Sequence, residues 1–302
     1  QSVMKDNLRL SYYFNVDRFN IKEFTIDSIT NKPNISKQMD RMNAYSAIII
    51  AKPTIPFNKM DKFLIDQYIM NGGSVLWLID GVNASMDSLK SPNRSFIAVK
   101  NDINIDDQLF KYGVRINANL IEDLRSTEIP IITGYSNNIP QQTFFPWPFY
   151  PLLLSDSKHS ISKGLDAIKC DFVSSIDTIN NNIKKTILLR SSKQSRLTLA
   201  PAKISLGILE NPPLSSSYNK KEQNIAVLLE GKFESIFKNR ILPKNQRMPF
   251  SENSPENKMI VISDGDLIAN KVGENGSIYP MAYDRYIKYT YPGNKYFLIN
   301  AI

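Results

Sequence analysis

Two apolar runs near opposite ends of this 302-residue chain share one plan, and that plan limits the folds open to it. Ser74-Val-Leu-Trp-Leu-Ile-Asp80-Gly81 and Met259-Ile-Val-Ile-Ser-Asp264-Gly265-Asp266 each stop abruptly at an acidic Asp-Gly turn. Short runs rich in Val and Ile and bounded by Gly and Asp read as fully buried strands of a largely parallel sheet. In open sheets of that kind ligands collect beyond the carboxyl ends of the strands, which is where Asp80, Asp264 and Asp266 fall.

The chain between Phe24 and Ile121 alternates strand and helix signals. Phe24–Asp27 reads as a short strand, Ser36–Met42 as a helix, and Ala44–Ala51 as a buried strand ended by Lys52-Pro53, because proline cannot donate to a ladder. Met60, Phe63, Leu64, Tyr68 and Ile69 recur at helical spacing over Asn58–Met70, and Asn71-Gly72-Gly73 stops that helix before the strand Ser74–Ile79. A polar stretch from Asn83 to Asn93, a helix over Ile105–Tyr112 and a strand over Val114–Ile121 follow. Strands separated by single helices imply crossover units. Residues 1–135 are therefore expected to form a mostly parallel, flavodoxin- or Rossmann-like three-layer α/β sheet. Residues 136–302 read as a β-rich α/β second part, either continuing the same sheet or forming its own. Strands are expected at Ile129–Thr133, Phe172–Ile176, Thr186–Arg190, Lys203–Leu209, Ile225–Glu230 and Met259–Ser263, with loops over Asn211–Asn224 and Arg240–Asn257.

Composition restricts the chemistry. The net charge of +8 suits an anionic partner, but the basic residues are scattered. The densest group, Lys238, Arg240, Lys244 and Arg247, is broken by Pro243 and Pro249 and has no nucleic-acid module around it, so no nucleic acid is expected as partner. One cysteine, Cys170, and one histidine, His159, exclude an internal disulfide and a Cys/His zinc cluster. No apolar stretch reaches the length of a membrane span. The chain starts at Gln1 and stops inside the apolar pattern Phe297–Ile302, as an excised, C-terminally truncated segment with anchors beyond its ends would.

Catalytic constellations are thin. Asp264-Gly-Asp266 after an apolar strand resembles the aspartate pair of haloacid-dehalogenase-class phosphotransferases, which implies magnesium. That class places Thr or Val two residues after the second Asp, on a strand close to the amino terminus, whereas Ile268 stands here, late in the chain. Asp and Gly are also the commonest way to leave a strand. Gly72-Gly73 precedes a strand, and Glu230-Gly-Lys232 lacks the upstream glycine of a phosphate loop. His159 has no Gly-x-Ser-x-Gly elbow to serve. No catalytic set, bound metal or cofactor is expected. Thr143-Phe-Phe-Pro-Trp-Pro-Phe-Tyr-Pro151 favours an extended conformation. Its Trp147 and Phe149 either stack on a sugar or partner protein or pack onto the body of the protein.

Several segments together resemble a family. Ala47–Pro53, then Phe63–Asp80, then His159-Ser-Ile-Ser-Lys-Gly-Leu165 with Ser174-Ser175, Ala226–Ser235, and Ile260–Asp266 with Asn270 look like successive blocks of the ABC-transporter auxiliary proteins of the gliding-motility-associated GldG type. The resemblance runs from Phe24 to Asn300, with Arg240–Asn257 departing from it. It implies an extracytoplasmic, periplasmic-side domain at the bacterial inner membrane, anchored by membrane helices outside this segment. It also implies work beside a permease and a separate ATPase, tied to gliding and secretion. Related domains occur in ciliary transport proteins, where glycan binding is inferred by fold analogy. The expected function is a non-enzymatic accessory or ligand-binding component of that transporter, with a glycan or peptide as ligand. Alternatives are a metal-assisted hydrolase or phosphatase using Asp80, Asp264 and Asp266, and a glycan- or protein-interaction module with no transport substrate.

Overall fold

The computed structural model describes residues 14–28, 31–91, 93–155, 158–240, 242, 250–273 and 276–302. At its centre is a sheet of Ala47–Ala51 (β1), Ser74–Leu78 (β2), Lys184–Arg190 (β3), Asn224–Glu234 (β4) and Asn253–Ile262 (β5). The spatial order is β1-β2-β5-β4-β3. Trp77 of β2 is in parallel register with Ile50 on one side and Val261 on the other, while β4 runs antiparallel to both β5 and β3.

The apolar runs are continuous because both faces of this sheet are covered. Val75, Trp77, Val227, Leu229, Met259 and Val261 pack on helix α2 (Lys59–Met70), with α1 (Ile35–Asn43) and α3 (Asp106–Tyr112) beside it. Leu76, Leu78, Leu228, Ile260 and Ile262 pack on Cys170, Val173 and Phe297 and Leu298 of helix α4 (Pro292–Ala301). Each such side chain contributes about 1.5–3 kcal/mol by leaving water. Helix α2 starts at a capping box: Asn58 Oδ1 accepts from the amides of Met60 and Asp61, and Asp61 Oδ2 accepts from the amide of Asn58.

The expected mostly parallel flavodoxin- or Rossmann-like three-layer fold is not what forms. Among the described residues, strand accounts for 37% against 18% helix, in several separate sheets with four α-helices. The expected helices form, as Ile35–Asn43, Lys59–Met70 and Asp106–Tyr112, but around the central sheet the described residues build small antiparallel sheets. Val82–Asn83 turns back onto Ser95–Lys100, which takes Ala202–Ser205 on its other edge. The expected strand Val114–Ile121 breaks at Asn117-Ala118: Val114–Ile116 pairs with Ile176–Thr178, and Asn119–Asp123 with Ser195–Leu199. Phe172, expected in a strand, lies in the left-handed region at φ 54°, which interrupts any ladder there. Ser126–Ser136 and Ile139–Leu153 form one long hairpin turning at Asn137-Asn138, whose φ values of 48° and 62° suit the primed turns that match strand twist. Asn253–Asn257, read as loop, extends β5 against Gly231 and Lys232. Pro243, Lys244, Arg247 and Pro249 lie outside the described residues, as does Ser157 before His159.

Candidate functional site

The parallel strands β1, β2 and β5 end side by side, and each delivers a charged residue to the same edge. The amide of Lys52 donates to Leu78 O (2.9 Å) and that of Ile79 to Ile262 O (2.9 Å), so the strands leave the sheet in step. Asp80, Asp264 and Asp266 consequently converge, with one carboxylate oxygen from each lying within 4.8 Å of the others. Lys52 closes the group: its Nζ is 2.5 Å from Asp266 Oδ2 and 3.6 Å from Asp80 Oδ2.

The glycine after each aspartate has a steric cause. A Cβ on Gly265 would stand 2.9 Å from Lys52 Cβ and 3.0 Å from Asp80 Oδ1, and one on Gly81 would stand 2.5 Å from both Asn117 O and Ser174 Oγ. Only glycine lets the two turns come this close to their neighbours. The approach is used: the amide of Gly265 donates to Asp80 Oδ1 at 2.6 Å. Asp264 is fully buried and accepts from the amides of Asp266 (2.8 Å, Oδ1) and Asp171 (3.0 Å, Oδ2). The carboxylates therefore converge on one another and also cap the turns that carry them.

Electrostatics follow from burial and crowding. Burial pushes the Asp80 carboxyl up to about 6, with Lys52 opposing and Asp266 adding to the rise. Burial, then Asp266 and Asp80, hold Asp264 well above the usual carboxylate range. For Lys52, burial disfavours the charge, but Asp266 and Asp80 outweigh it and raise the ammonium. Next to the trio, Asp171 receives Lys169 Nζ (2.9 Å) and Lys271 Nζ (2.8 Å). Burial alone raises Asp171; the two ammonium groups overcome it and hold the carboxyl at about 2. Lys169 Nζ also lies 4.4 Å from the centroid of the Tyr150 ring. Burial and Asp264 push the Cys170 thiol up, away from nucleophilic character.

Trp147 and Phe149 do not join this site. They are 0% and 2% exposed, in a separate cluster where Phe149 stacks on Phe172 at 5.8 Å, so the rings pack on the body of the protein. Sequence reasoning did not single out Asp171, Lys169 and Lys271, and it treated Lys52 only as a strand end. Lys52 had a readable signal, since Lys52-Pro53 follows β1 just as Asp80-Gly81 follows β2. The structure also contains a buried carboxylate with a purely internal role. Asp66 accepts from Tyr112 Oη (2.9 Å), Ser235 Oγ (2.6 Å), the amide of Ile236 (3.0 Å) and Gln67 Nε2 (3.0 Å), tying α2 to α3 and the end of β4.

No protein of curated function matches the chain. A solved structure described as "mmIFT52 N-terminal domain" is similar at 14% identity and a TM-score of 0.44, covering 87% of this chain and 78% of its own. A family model described as "ABC-type uncharacterized transport system" matches residues 10–301. With almost its whole length inside that match, the chain belongs to the family of auxiliary components of ABC-type transport systems.

Proposed function

We propose that the chain is a non-enzymatic, extracytoplasmic accessory or ligand-binding component of a bacterial ABC transporter complex of the gliding-motility type, working beside a permease and an ATPase and held at the membrane by anchors outside this segment. The family match over residues 10–301 carries this reading. The site is compatible with it: the central carboxylates are engaged by backbone amides and by Lys52, contacts that hold three strand ends together. Affinity capture of the full-length protein from its native host membranes tests the proposal. Recovery of a permease and an ATPase in reproducible ratio supports it; capture that repeatedly lacks both refutes it.

One observation favours a second reading, a divalent-cation site serving a hydrolase or phosphatase: the convergence of Asp80, Asp264 and Asp266 within 4.8 Å. Such a cation must displace Lys52 from Asp266. Isothermal titration of magnesium, manganese and calcium into the protein separates the two readings. Binding that Lys52→Met strengthens and Asp266→Asn abolishes supports the cation site; heat of dilution alone in both proteins removes it.

A further inference from the structure

The outer half of the hairpin formed by Ser126–Ser136 and Ile139–Leu153 stands free of the body as an arm. From Ile132 to Phe144 every residue except Gly134 is exposed, and none from Ile129 to Ser155 carries a charge, in a chain that is 22% charged. At about 3.3 Å per residue the arm reaches about 17 Å from Ile132 to its turn at Asn137. Ile132, Tyr135 and Phe144 share one face through the pairs Ile132–Gln142, Tyr135–Pro140 and Pro130–Phe144, and they are 48%, 71% and 41% exposed. The pair Ser136–Ile139 comes next, so Ile139, 63% exposed, points to the opposite face.

Three features select what meets this arm. A proline in a paired strand keeps its nitrogen on the outer edge, so Pro140 and Pro146 remove donors from one edge of the ribbon and Pro130 removes one from the other. An extended peptide or a second copy of the ribbon therefore finds no continuous ladder to join. Protein interfaces carry a charged rim and favour Arg anchors, and the arm supplies neither. A flat partner covers one face, whereas a lipid interface surrounds a projecting tip, accepts Tyr at headgroup level and penalises charge. The open backbone edges, with Asn137, Asn138 and Gln141, limit the depth of entry, because only headgroups and water can bond them.

We propose that the tip of this arm, with Tyr135 on one face and Ile139 on the other, enters the interface of a lipid bilayer to a depth of about 5–10 Å. The contact is apolar and does not depend on anionic lipid, because the arm offers no cation to a phosphate. This assignment goes beyond the accessory role above and involves neither permease nor ATPase, so lipid alone tests it and its failure leaves that role standing.

Vesicles of pure phosphatidylcholine provide the probe. Cys170 is fully buried, so the variants Tyr135→Cys, Ile139→Cys and Lys37→Cys each take an environment-sensitive fluorophore at one exposed position. Labels at 135 and 139 are both expected to shift to shorter wavelength when vesicles are added, while the label at Lys37 on α1 stays unchanged. Vesicle co-sedimentation of the unlabelled double variant Tyr135→Ser, Ile139→Ser is expected to show partitioning about tenfold weaker than wild type. Wild-type partitioning is expected to hold between about 0.05 and 0.5 M salt, which separates it from adsorption through the net charge of +8. Both substitutions fall on exposed side chains at the tip, so folding is preserved. No shift at either tip position, a shift on one face only, equal partitioning by the double variant, or binding that salt abolishes overturns the proposal. Self-association that the double variant abolishes, without vesicle binding, overturns it in favour of a second copy.

Discussion

Replacing Lys52 with Met removes the ammonium that closes the carboxylate trio, and the cost depends on pH. At 3.6 Å from Asp80 and an effective dielectric of about 20, the attraction to that carboxylate is roughly 4–5 kcal/mol before screening. Lys52 is 40% exposed, and surface pairs retain only a small part of such energies. A net loss of about 1–2 kcal/mol at pH 8 follows for the two contacts together, a fall in Tm of about 2–6 °C for a chain of this size. Below pH 6 the Asp80 carboxyl is protonated in the wild type, so only the partly exposed pair with Asp266 is lost and the gap shrinks to below about 1 kcal/mol at pH 5. The variant's own Asp80 moves further up once Lys52 is gone, so the gap closes across the window around pH 6. Calorimetric unfolding of both proteins from pH 5 to pH 8 measures this. A destabilisation that is constant over that range contradicts the assigned proximity of Lys52 to Asp80.

Trp147→Ala and Phe149→Ala are each expected to cost about 3–5 kcal/mol in urea denaturation, because both rings are buried in one cluster. Gly81→Ala is expected to cost about 1–3 kcal/mol by the same measurement, since the new methyl meets Asn117 O and Ser174 Oγ at 2.5 Å. Asp171, held at about 2 by Lys169 and Lys271, has a depressed folded-state pKa, so its stabilisation is present above the unfolded value near 4 and is lost as pH falls towards 2. Acid unfolding of Asp171→Asn compared with wild type is expected to show a gap of about 2–3 kcal/mol above pH 5 that vanishes near pH 2.

The apolar strand cores were legible because burial on both faces leaves no polar positions in Val75–Leu78 or in Met259–Ile262. The same property hid the fold class. Ile225–Leu229 is as apolar as Ser74–Leu78, yet β4 runs antiparallel to its neighbours, and direction leaves no trace in a strand covered on both sides. Asn253–Asn257 was invisible because it extends β5 with polar residues beyond the core. Ser95–Lys100 and Ser195–Leu199 were missed because they are short, mixed in composition and defined by partners distant in sequence.

At the candidate site, the shared Asp-Gly plan placed Asp80, Asp264 and Asp266 at strand ends, and the parallel register of β1, β2 and β5 brings them together. Asp171, Lys169 and Lys271 come from the segments after Ile168 and Ala269, whose approach depends on tertiary packing that no local pattern encodes. Trp147 and Phe149 illustrate the converse. Their unusual Pro-aromatic setting left both display and packing open, and both rings turn inward, Trp147 against Phe149 and Phe149 against Phe172.

The most direct test of the accessory role is physical association with the transporter. Full-length protein, solubilised with the permease and ATPase of its own host, is analysed by sedimentation velocity at micromolar concentration. The account predicts one boundary containing all three polypeptides in fixed ratio. A permease–ATPase pair that sediments as one species while this protein remains separate contradicts it.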